Sequence, residues 1–248
     1  MKKEVLAWLW LALGSAGHLA AAPPDLVAPP PASSDVKRLL DWVLSAEDNG
    51  RLPFMVVDKK GARLFVFSSQ GQAIGSTPVL LGFAHGDDAV PGIGQRPLAL
   101  VRPGERTTPA GRFKTAAGRN LHGEEIIWVD YEAAVSMHRV RATVATERRL
   151  ERLATPSASD NRISFGCINV PVAFFDQQLA GVFLRGEGLV YVLPEQRSLD
   201  VFLQHLDATQ AARRSWYSAR PATRSWLVAW NHQPLATGAY LPSRPHPR

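Results

Sequence analysis

The chain has 248 residues, 46% hydrophobic and 20% charged, so it is long enough for one sizeable core and too polar for a multi-span membrane protein. Its formal net charge of +6 is carried entirely by residues 208–248, where six arginines stand without an acidic residue, and the rest of the chain is neutral.

Residues 1–22 read as a secretory signal peptide. Met1-Lys2-Lys3 is positive, an apolar run from Val5 to Leu13 follows, and small residues continue through Ala22. The run is shorter than the roughly 20 apolar residues of a stable bilayer-spanning helix. An uncleaved anchor is the alternative, since Pro23 and Pro24 crowd the cut. The reading implies export to the periplasm or cell wall, with membrane contact only transiently, through the signal. Residues 23–34 (PPDLVAPPPASS) form a Pro-rich linker. A short helix is expected over residues 35–50, capped by Ser34 or Asp35. Val36, Leu39, Leu40 and Val43 lie at helical spacing, and Gly50 ends the segment.

Beyond Leu52 the pattern changes to short strands. They are expected at residues 54–57, 64–67, 79–83, 112–115, 126–129, 134–138 and 189–193, with a hairpin turn at 58–61 and a mobile Gly/Pro loop at 84–95. Short helices are expected at 147–153, 171–179 and 198–206. This pattern predicts a mostly β domain over residues 51–195. A helix and a basic, Trp/Arg-rich extension occupy 196–248.

Cys167 is the only cysteine and has no intrachain disulfide to make. It is either a buried structural thiol or a reactive one, and its neighbourhood, RISFGCINV over residues 162–170, favours reactivity. Gly166 permits close backbone approach, and the amides around Cys167 are candidate oxyanion donors. Pro171 suits a first helical turn, which places the thiol near a helix amino terminus, where positive potential lowers its pKa. A thiolate needs a positioned base. Two-residue alternation along 134–138 puts Ser136 and His138 on one face and Val135 and Met137 on the other, making the strand-end His138 the candidate. Ser164 either hydrogen-bonds in the site or satisfies the turn backbone, and the Asn169 amide is suited to orienting the loop.

His138, Ser164, Gly166, Cys167, Ile168 and Asn169 together resemble the signature of the L,D-transpeptidase (YkuD-like) family: an upstream His, a spacer, then S/T-H-G-C, a hydrophobic residue and Arg or Asn. Thr108-Pro109-Ala110-Gly111-Arg112-Phe113 resembles that family's T-P-x-G-x-F turn. The resemblance covers about residues 54–193. It implies a β-sandwich-like catalytic domain with a few short helices. It also implies attack of the Cys167 thiolate, with His138 as base, on a peptidoglycan stem peptide. The thioester acyl-enzyme then passes to an amine, or to water in an L,D-carboxypeptidase. Ser164, Gly166 and Asn169 are the implied supporting or oxyanion residues, while Phe165 and Arg112 are candidate substrate contacts, Arg112 either toward a carboxylate or as a solvated surface side chain. Two departures stand out. Phe165 occupies the place of the family's usual His, and His138 precedes Ser164 by 26 positions, a long spacer whose residues 140–153 read as an inserted helix over the cleft.

No metal or organic cofactor is implied, because the His residues are scattered without ligand spacing. The basic tail invites a nucleic-acid reading, but an exported protein seldom meets that partner. Trp216, Trp226 and Trp230 interleave with arginines, either as a strap packed against the domain or as a surface for sugars or anions. The non-enzyme alternative is a cell-wall-binding module that kept the fold and lost turnover.

Overall fold

The computed structural model describes residues 31–218. The segment read as a signal peptide, the linker up to Pro30 and the tail from Ala219 lie outside the described residues. In chain order the elements are α1 (Ser34–Ser45), β1 (Phe54–Asp58), β2 (Arg63–Phe67), β3 (Ala73–Pro78), β4 (Leu81–Gly82), β5 (Gly111–Lys114), β6 (Ala116–Arg119), β7 (Glu125–Asp130) and β8 (Val135–Arg139). They continue through α2 (Arg149–Ala154), β9 (Arg162–Ser164), β10 (Ile168–Val170), α3 (Val172–Phe174), a π-helical segment (Phe175–Leu179), α4 (Ala180–Phe183), β11 (Leu189–Val192) and α5 (Leu199–Ser218). The architecture is mostly β, as expected.

One sheet has the order β3-β2-β1-β11-β5, the second β10-β8-β7-β6, and β4 pairs with β9 alone. Strands β1, β2 and β11 are apolar on both faces, and their two-residue alternation sorts the side chains into two cores. Met55, Val57, Leu64, Val66, Val190 and Val192 point toward the second sheet. There they meet Ile127, Val129, Val135, Met137, Ile168 and Val170, along with Phe175, Leu179 and Phe183. Phe54, Val56, Phe65, Phe67 and Tyr191 point the other way, under Val36, Leu39 and Val43 of α1 and Leu199, Phe202 and Leu206 of α5. The helices at either end of the domain therefore cover its outer face. Burial of each such large side chain is worth about 1.5–3 kcal/mol.

Several elements differ from expectation for local reasons. The α1 cap is Ser33, whose Oγ accepts from Val36 N. The strand expected at 79–83 is reduced to Leu81–Gly82, which pairs with β9 instead of extending the first sheet. Gly82 there runs so close to the Arg106 carbonyl that a Cβ would lie 2.3 Å from it. The first sheet is extended instead by β3, whose sequence AIGSTP is small and polar enough to hide its strand character. Strands β9 and β10 have three residues each, too few to show a period. The C-terminal helix runs to Ser218, well past the expected residue 206.

A buried ionic cluster ties the loops at one end of the sheets. Lys59, fully buried, donates through Nζ to the Gly86 carbonyl, Asp87 Oδ1 at 2.9 Å and the Thr108 carbonyl at 3.0 Å. Asp87 in turn accepts from the amides of Glu195, Gln196 and Arg197, while Arg162 pairs with Glu195. Burial alone would raise the Asp87 pKa, yet Lys59 and these amides hold it down at about 2, below the ordinary 3.8. Burial pulls the Lys59 ammonium below its usual value. Removing one member of such a pair leaves an uncompensated buried charge. Asp87→Asn is expected to cost about 3 kcal/mol at neutral pH in a urea titration. Because the folded carboxyl titrates lower than the unfolded one, its contribution is complete above about pH 4 and is lost as pH falls through about 2. The difference between wild type and variant should therefore narrow across that window. A difference that stayed constant would mean that Asp87 acts through shape and not charge.

Candidate active site

Strands β8 and β10 run parallel, with Asn169 beside His138 and Ile168 beside Met137. Met137, Ile168 and Val170 face the core, and the alternation turns Ser136, His138 and Asn169 to the opposite face of the second sheet. Cys167 immediately precedes β10. Its Sγ lies 3.7 Å from Ser136 Oγ and 3.8 Å from the Ala134 carbonyl. Cys167, His138, Ser164, Phe165 and Asn169 all line one cavity of about 510 Å3. Asn120, His122 and Arg141 complete its rim, and Thr143, Val144, Glu147 and Arg149 of the long spacer line it as well.

The turn that presents the thiol is held from both sides. Gly166 has φ +124°, a conformation closed to L side chains, and a Cβ there would lie 2.7 Å from the Thr107 carbonyl. Ser164 Oγ accepts from Gly166 N at 3.1 Å and donates to the Cys167 carbonyl at 2.6 Å. Ser164 thus satisfies the turn backbone, and the Gly166 amide is engaged by it. From the other side Thr108 Oγ1 donates to the Gly166 carbonyl at 2.8 Å and accepts from Gly82 N. Since the Thr108 carbonyl is a Lys59 acceptor, the ionic cluster reaches the cysteine turn through one residue.

His138 Nδ1 lies 2.8 Å from the Arg139 carbonyl. A carbonyl only accepts, so Nδ1 carries the proton and Nε2 keeps its lone pair. Nε2 faces Asn169 Nδ2 at 3.3 Å, and the same amide nitrogen reaches the Cys167 carbonyl. Asn169 Oδ1 accepts from Arg149 Nη1.

Burial governs the protonation of both candidate catalytic groups. It pushes the Cys167 thiol above its ordinary 9.0, against the opposing pull of the Ser136 hydrogen bonds and the Arg149 charge. It also pushes His138 below 6.5, against the raising effect of the Arg139 carbonyl. Burial thus disfavours the charged form of each group. This corrects the expectation of a thiol depressed by a helix amino terminus. Three residues of strand separate Cys167 from Pro171, and α3 spans only Val172–Phe174 before the helix continues as a π segment.

Arg112 is not among the residues lining the cavity. It lies on β5 and bonds Asp48, which also accepts from Tyr191 Oη, so it secures the loop after α1 to the first sheet. Phe165 does line the cavity, and its ring carries the Arg106 guanidinium 3.8 Å from the centroid. Sequence reasoning missed Arg149, Thr108 and Lys59 as parts of this arrangement. Thr108 lay within the recognised T-P-x-G-x-F turn, the one signal available for it. Among the described residues, no cluster of three or more His, Cys, Asp or Glu side chains gathers to hold a metal.

No protein-family model matches the chain, and no curated protein matches it. Solved structures do. It is similar to an L,D-transpeptidase from Mycobacterium smegmatis, with 15% identity over 57% of this chain and 58% of that one and a TM-score of 0.32. The helical cell shape determining protein Pgp2 from Campylobacter jejuni is 12% identical over 75% of this chain and 66% of that one, with a TM-score of 0.41. The catalytic domain of an E. faecium L,D-transpeptidase is 17% identical over 58% and 98% respectively, with a TM-score of 0.34. The chain thus spans about three fifths of the length of the first of these and about two thirds of the second.

The protonation state has a direct readout. Iodoacetamide should alkylate Cys167 at pH 7 at least about tenfold more slowly than a free cysteine, with the rate still climbing past pH 9. Ser136→Ala, which removes a hydrogen-bond donor to the sulfur, should move the midpoint higher. An unchanged midpoint would show that Ser136 does not stabilise the thiolate.

Proposed function

We propose that the protein is an exported cysteine acyltransferase that acts on peptidoglycan stem peptides as an L,D-transpeptidase. The observation that carries this reading is that Cys167, in its glycine turn, and His138, whose Nδ1 donates to the Arg139 carbonyl, line the same cavity. The sequence signature around these residues supplies the substrate class. In the proposed reaction His138 Nε2 takes the thiol proton as Sγ attacks the carbonyl carbon of the L-centre residue. The C=O π electrons move to oxygen, and the Cys167 backbone amide is the candidate donor to that oxyanion, since the Gly166 amide is engaged by Ser164. Collapse re-forms the carbonyl and breaks the C–N bond, and the imidazolium returns its proton to the departing amine. The resulting thioester is then attacked by a second stem's amine, giving a cross-link, or by water, giving trimming. Proton transfer of this kind contributes about 10²–10⁴-fold.

The burial that raises the Cys167 thiol's pKa and the Phe165 substitution favour the rival reading, a wall-binding module without turnover. Intact-mass analysis of the mature protein incubated with a tetrapeptide-stem muropeptide separates the two. Wild type should gain an acyl adduct and release either cross-linked or trimmed product, which distinguishes transfer from hydrolysis. Cys167→Ala should give neither, and His138→Gln should retain about 1% of the rate or less. Muropeptide binding by folded wild type with no adduct and no product would establish the binding module instead.

A further inference from the structure

The spacer between β8 and β9 does more than cover the cavity. Leu153 of α2 packs with Leu80, Val140 and Ile163 in a small core of its own. Arg152 donates to the carbonyls of Glu147 and Asp160, closing the segment on itself. Arg148, at φ +50°, turns the chain between a 3-10 turn and α2. The next side chain, Arg149, enters the cavity with 14% exposure, whereas Arg148 stays at 67% on the outside. Once inside, Arg149 is fixed at both ends of its fork. Nε holds Glu147 Oε2 at 2.6 Å and Nη1 holds Asn169 Oδ1.

With its oxygen turned to Arg149, the Asn169 amide presents its nitrogen on the other side, and Nδ2 is what faces His138 Nε2. From this geometry we infer that Arg149 is a positioning residue for acyl transfer: it orients the Asn169 amide against the base and sets a fixed positive charge beside the thiol. The inference rests on the cysteine-transferase reading for its purpose, but not for its test. Were Asn169 free to turn over, its oxygen would face the Nε2 lone pair, a repulsive contact that would draw a proton onto the ring. Arg149 also favours the thiolate over the thiol and opposes protonation of His138. The other charged or titratable groups facing the pair are His122, Glu124, Arg141 and Glu147. Glu124 is bound by Asn120 and lies 3.6 Å from Arg141. Arg139, at the end of β8, is paired with Asp176 of the π segment.

The experiment measures the pH dependence of Cys167 alkylation by iodoacetamide together with the NMR titration of the His138 ring, in wild type, Arg149→Gln, Arg149→Lys and Arg148→Gln. Neither readout requires a substrate. Arg149→Gln should raise both midpoints by at least about half a pH unit. Arg149→Lys keeps the charge but not the fork, so the thiol midpoint should move by less than half as much. Arg148→Gln should move neither. If Arg149→Gln instead changed the alkylation rate by one factor at every pH and left both midpoints in place, Arg149 would merely pack the spacer and the inference would fall. Shifted midpoints in a protein that never acylates would uphold the positioning role and overturn the transferase reading.

Discussion

A buried ammonium underlies the rest of this structure. Lys59 sits at the hairpin between the two central strands of the first sheet, fully enclosed, and must find acceptors wherever the fold leaves them. It takes the Thr108 carbonyl among others, and Thr108 holds Gly166 through its hydroxyl. The conformation that presents Cys167 is therefore set by an interaction in a different part of the molecule. Such a charge is costly to bury and would be replaceable by apolar packing if stability were its only product. What an apolar residue cannot do is hold carbonyl and carboxylate acceptors from two separate segments, 86–87 and 108, in register.

The other half of the cysteine turn is local. Gly166 is required by its φ and by the Thr107 carbonyl, and Ser164 closes the turn over two bonds of its own. Contacts of this kind fix where the Cys167 thiol sits. The thiol is buried in the same cavity that His138 lines.

Much of this was legible in the sequence, and what was not has physical reasons. Strands β1, β2 and β11 announced themselves because burial on both faces writes continuous apolar runs. Cys167 and His138 stood out through residue type, a glycine neighbour and two-residue alternation. Lys59 and Lys60 look alike in the sequence, yet the first is fully buried and the second is 52% exposed and paired with Asp35. Arg148 and Arg149 are likewise adjacent and chemically identical, and only the fold sends one outward and the other into the cavity. Arg112 failed in the opposite direction: its place in a recognised motif suggested a ligand contact, and the sheet turned it toward Asp48. Patterns of burial are periodic and can be read, whereas the partner of a single long cationic side chain is a long-range property.

Phe165 shows how these constraints meet. An imidazole in its place would titrate beside His138, whereas a phenyl ring gives an uncharged wall. Behind that wall stands the Arg106 guanidinium, held to the ring face and to the Val101 carbonyl. Arg149 and Arg141 line the same cavity, so this end of the site carries permanent cations where a second histidine would supply a conditional one. Fixed positive charge stabilises a thiolate and an oxyanion but opposes the imidazolium that must form with them. In the proposed transfer these charges call for a short-lived imidazolium, its proton passing on to the leaving amine as the carbon–nitrogen bond breaks.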